Sequence, residues 1–70
     1  MSPKYKIWVA EELKPQWVAW FDGMEITYPA GPGQGGSLLR GELSDQAALY
    51  GIISRLRDLN LTLIQVKRVN

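Results

Sequence analysis

Seventy residues with no cysteine and no histidine are expected to form one domain, residues 1–70, with neither disulfides nor the two commonest soft metal ligands to staple it. Folding at this length buries only roughly 60% of the surface of the unfolded chain, so one hydrophobic core has to supply the stability. Eight Lys or Arg against seven Asp or Glu leave a net charge of +1, too little for a global field that draws in nucleic acid or a membrane.

The chain opens on Met1-Ser-Pro-Lys-Tyr-Lys, which lacks the apolar core of a signal peptide, and no apolar run reaches the roughly 20 residues of a membrane span. A soluble cytoplasmic protein is expected. From Lys4 to Ala10, Tyr5, Ile7 and Val9 alternate with Lys4, Lys6 and Trp8, the period-two pattern of a strand with one buried face. Leu13, Trp17, Trp20, Phe21 and Met24 then fall at helical spacing, with Pro15 near the start and Gly23 just past the end. Asp22-Gly23 is also a strong hairpin signal, which leaves a competing strand over Trp17 to Phe21. Pro15 and the Leu13/Trp17/Phe21 stripe favour the helix.

Met24, Ile26 and Tyr28 alternate with Glu25 and Thr27 as a second strand, and Leu39, Gly41 and Leu43 alternate with Leu38, Arg40 and Glu42 as a third. The Pro- and Gly-rich stretch from Pro29 to Gly36 joins them as a hairpin loop. Ser44 or Asp45 caps a second helix whose face of Leu49, Ile52, Ile53, Leu56 and Leu59 turns to the core. Asn60 stands where a left-handed C-terminal residue is needed. A fourth strand runs through Val69. Strand, helix, strand, strand, helix, strand is the order of a ferredoxin-like split βαβ fold (βαββαβ) of the α+β class. Right-handed crossovers place two helices on one face of a four-stranded antiparallel sheet, with strands one and three central and the other face open.

The run Trp20-Phe-Asp-Gly-Met, the block Asp45-Gln-Ala-Ala-Leu and the downstream Leu56-Arg-Asp-Leu resemble a family of small bacterial proteins with no assigned activity. The resemblance spans nearly the whole chain. It implies a bacterial origin, and it transfers no catalytic or ligand-binding residue. Tyr50 stands where relatives commonly carry His, and Asn60 where they carry Gly.

The chemistry-bearing motifs each have a plain structural explanation. Gly31, Gly33 and Gly36 match G-x-G-x-x-G, but they lead into a strand rather than a helix, and no Rossmann unit fits this length. Asp45 and Gln46 open a helix, where a carboxylate serves as a cap. Glu11 and Glu12 fall in a turn and are expected to face water. Gly51, in mid-helix, is expected to admit an aromatic ring from the first helix. The carboxylates are scattered, so no acid/base pair, catalytic residue or cofactor site is proposed.

What remains is the open sheet face. Alternation places Trp8 and Lys6 there with Leu38, Arg40 and Leu63 as a candidate binding surface. Its mixture of aromatic, aliphatic and cationic groups suits a protein interface. A base-stacking platform needs an aromatic on the third strand as well, and none is present. The expected function is a non-enzymatic interaction module that self-associates or docks on a larger protein. The alternatives are a ligand-sensing module of the ACT type, or an RNA or single-stranded DNA binder using the same face.

Overall fold

β1 (Lys4–Val9) buries Tyr5, Ile7 and Val9 on one side and lies in the middle of the sheet. The computed structural model describes residues 3–21, 23–31 and 33–69, all with side chains except Val18. The opening Met1-Ser2, the Asp22 half of the Asp22-Gly23 turn, and Pro32 lie outside them. After β1 come a 3-10 helix (Pro15–Trp20), β2 (Glu25–Thr27), β3 (Ser37–Glu42), α1 (Gln46–Asp58) and β4 (Leu63–Arg68). The strands form one antiparallel sheet in the order β2-β3-β1-β4. This is the strand order read from the sequence, with β1 and β3 central.

The two-helix ferredoxin-like fold is overturned. Among the described residues four antiparallel strands carry one α-helix, and the segment expected to be the first helix is a six-residue 3-10 helix. Leu13, which leads into this segment, is anchored from outside it. Its N–H donates to Ser37 Oγ at 2.7 Å and its carbonyl accepts from the Tyr28 hydroxyl at 2.8 Å, so its backbone is committed to distant residues. Between that anchor and the turn at Gly23 only a short helix fits, and 3-10 geometry is used in such short pieces. Trp17 N–H donates to the Lys14 carbonyl at 2.9 Å, the tighter three-residue spacing of a 3-10 turn. Gly23, at φ +80°, then reverses the chain in a conformation that side chains disfavour. Leu13 and Phe21 are fully buried as their spacing suggested, whereas Trp20 is left 47% exposed.

α1 is capped at both ends by the residues its sequence offers. Asp45 is the N-cap, its carboxylate accepting from Ala48 N–H at 2.8 Å. At the other end Asn60 takes φ +60°, while Leu61 N–H donates to the Leu56 carbonyl and Asn60 N–H to the Arg57 carbonyl, each at 2.9 Å. These two bonds are a Schellman closure. Ile52 and Leu56 enter the core with Tyr5, Ile7, Val9, Leu13, Phe21 and Leu39. Ile53 is only half-buried and stands outside that cluster, a correction to the expected face.

Glu11 and Glu12 do not simply face water. Glu11 accepts from the Thr62 N–H at 2.7 Å and the Thr62 hydroxyl at 2.8 Å, and Glu12 accepts from Gly33 N–H at 2.6 Å. The two bonds from Thr62 stabilise the ionised form and hold the Glu11 carboxyl below its ordinary value. Ala10 N–H also donates to the Thr62 carbonyl at 2.9 Å, and Ser37 Oγ donates to the Glu11 carbonyl at 2.8 Å. One short turn therefore holds the start of β4, the start of β3 and the glycine-rich loop. Gly31, Gly33 and Gly36 lie in that loop between β2 and β3, with no helix following them.

Candidate functional site

Side chains alternate across a strand and directly paired residues share a face. Because Tyr5, Ile7 and Val9 point at α1 and the 3-10 helix, Lys4, Lys6 and Trp8 stand on the opposite side of the sheet. The register then builds that face in rows. Thr27, Leu38, Trp8 and Gln65 form one row from β2 to β4, and Glu25, Arg40, Lys6 and Lys67 form the next. Glu42 stands opposite Lys4 in a third.

Lys6, Trp8, Leu38 and Arg40 are thus brought together as expected from alternation. Leu63 is not in their row. A register shift between Trp8 and Val9 pairs Leu63 with Val9 and leaves Gln65 opposite Trp8. The irregularity of a bulge carries Leu63 out of the alternating pattern, where it and Ile64 are 40% and 63% exposed. Sequence reading also missed Thr27 and Glu25, which join the face only through the pairing of β2 with β3.

The apolar centre is small. Trp8 and Leu38 are half-buried and directly paired, with Thr27 beside Leu38. The charges around them are unevenly matched. Arg40 donates to the Glu25 carboxylate at 2.6 Å in an exposed ion pair, and Glu42 offsets Lys4 across the β1–β3 ladder. Lys6 and Lys67 are paired with each other in the β1–β4 register. Among the described residues neither makes an ion pair. Like charges directly opposite on one face are unfavourable.

An open groove of about 470 Å³ lies between the 3-10 helix and α1 and is lined by Trp20, Glu42, Ala48, Gly51, Ile52 and Arg55 among others. Arg55 crosses it to donate to the Trp20 carbonyl. A side chain at Gly51 would meet nothing within 4 Å, so no ring packs on it and the expected role of that glycine is corrected. The close approach is at Gly41 instead, where an added Cβ would lie 2.7 Å from the Gly23 carbonyl oxygen and 3.0 Å from Met24 Sδ.

Among the described residues no helix is long and apolar enough to cross a membrane. The fold and the face define a small α+β domain with one covered and one open sheet surface. Its chain belongs to the family described as a domain of unknown function, DUF8691, whose model matches residues 4–67. No curated protein and no solved structure matches it.

Proposed function

We propose that the protein is a non-enzymatic association module of the bacterial cytoplasm, binding another protein chain through the open sheet face. The observation that carries this reading is the position of Trp8. It is half-buried beside Leu38 at the centre of a face that neither α1 nor the 3-10 helix covers. An aromatic anchor inside a polar, charged surround has the anatomy of an interface hot spot. The ligand-sensing alternative rested on the two-helix topology and is not carried forward.

Light scattering over a dilution series, together with recovery of bound proteins from cell extract, tests the reading with Trp8→Ala and Arg40→Glu beside the parent. Loss of self-association or of a bound partner in Trp8→Ala, with the melting temperature held, is the expected result. A strictly monomeric parent whose Trp8→Ala variant keeps every bound protein would remove the open face from consideration.

A further inference from the structure

We infer that the partner contributes an acidic segment, and that Lys6 and Lys67 receive its carboxylates beside Trp8. The inference rests on the association reading above and names the chemistry of the partner. It starts from the unmatched pair. Of the cations on the face, Arg40 is paired with Glu25 and Lys4 stands opposite Glu42, which leaves Lys6 and Lys67 adjacent across the β1–β4 ladder without a carboxylate among the described residues. Directly opposed strand residues have Cβ atoms about 5 Å apart, so the two ammonium groups reach a common space.

A second copy of the chain is a poor occupant. In an isologous contact the same patch meets itself in rotated order, and each face sets Lys4, Lys6, Arg40 and Lys67 against only Glu25 and Glu42, so two copies would bring together two faces of net positive charge. A nucleic acid strand fits less well than a protein segment. Its phosphates would run on across β3 and β2, where Glu25 and Glu42 stand, and β3 offers Leu38, Arg40 and Glu42 with no second aromatic for stacking. An acidic segment with an apolar residue satisfies both halves of the site. Its apolar group covers Trp8 and Leu38, and its carboxylates relieve the Lys6–Lys67 repulsion.

The test uses a fluorescein-labelled peptide in which a leucine-phenylalanine pair is flanked on both sides by glutamates, its counterpart flanked by lysines, and an oligouridylate. Anisotropy titrations are run at low and high salt. The glutamate peptide is expected to bind, to weaken with salt, and to lose at least about tenfold in affinity in Lys67→Glu, Lys6→Gln and Trp8→Ala. Lys67→Glu also places an acid opposite Lys6, so its melting temperature should rise while binding falls. This opposite pair of changes separates a binding lysine from a structural one. Equal affinity for the two peptides, tighter binding of oligouridylate, or unchanged affinity in Lys67→Glu would each overturn the inference. If the glutamate peptide fails while scattering still shows Trp8-dependent association, the acidic partner is wrong and the association reading stands. If Trp8→Ala alters neither, both fall.

Discussion

Two glycines make opposite demands on their surroundings. At Gly41 a Cβ would collide with the Gly23 carbonyl, a backbone atom that cannot rotate away, so Gly41→Ala has to force β3 from the 23–24 segment. Overpacking of this kind costs about 1–3 kcal/mol, and urea denaturation should show a loss in that range. Gly51→Ala should do the reverse. It is exposed, it meets nothing, and alanine in mid-helix is favoured by roughly 0.5–1 kcal/mol, so its midpoint should move up. The same measurement separates Leu56 from Ile53. Leu56 is fully buried in the core and its replacement by Ala should cost about 2–5 kcal/mol. Ile53, half-buried and outside the cluster, should cost clearly less.

Among the elements, the turn from Ala10 to Leu13 governs more of the structure than its length suggests. Ser37 is buried, accepts from Leu13 N–H and donates to the Glu11 carbonyl. Ser37→Ala leaves a buried N–H without its acceptor, and such a loss costs about 1–3 kcal/mol, measurable by thermal or chemical denaturation. Glu11 adds a pH dependence. Its folded carboxyl is held below its ordinary value by the two bonds from Thr62, so the unfolded chain takes up a proton first as the pH drops. The stabilisation is complete above the ordinary carboxylate range and disappears as pH falls through the lowered folded value. Glu11→Gln should melt lower than the parent at neutral pH, and the two melting curves should converge in acid.

This turn also marks where the sequence stops being legible. Tyr5, Ile7 and Val9, the Asp45 cap and the Asn60 closure each depend on neighbours within a few positions, and each reads directly from the chain. The 3-10 helix does not, because the short span open to it is set by the anchoring of Leu13 to Tyr28 and Ser37, far along the chain, and by the turn at Gly23. The hydrogen bonds that Glu11 and Glu12 accept are hidden for the same reason, since their donors are at Thr62 and Gly33. On the open face, alternation suffices to assemble Lys6, Trp8, Leu38 and Arg40. It fails at Leu63, where the ladder slips by a residue next to Val9, and it gives no hint that Arg40 is already bonded to Glu25.

For the whole molecule, the sheet order has a kinetic consequence. β1 is the first strand of the chain and occupies the interior of the sheet, paired with β3 and with β4, as in Lys6↔Arg40 and Lys6↔Lys67. The β2–β3 hairpin and α1 are local and can form early, but β1 closes its ladders only by bringing together parts of the chain separated by long loops, which slows folding. Stopped-flow refolding should therefore place Lys67→Glu among the variants whose unfolding rate changes more than their folding rate. The proposed lysine pair then exists only once β1 and β4 have met. A partially folded chain can expose Trp8, but it cannot present Lys6 and Lys67 side by side, so an acidic partner would distinguish finished molecules from unfinished ones.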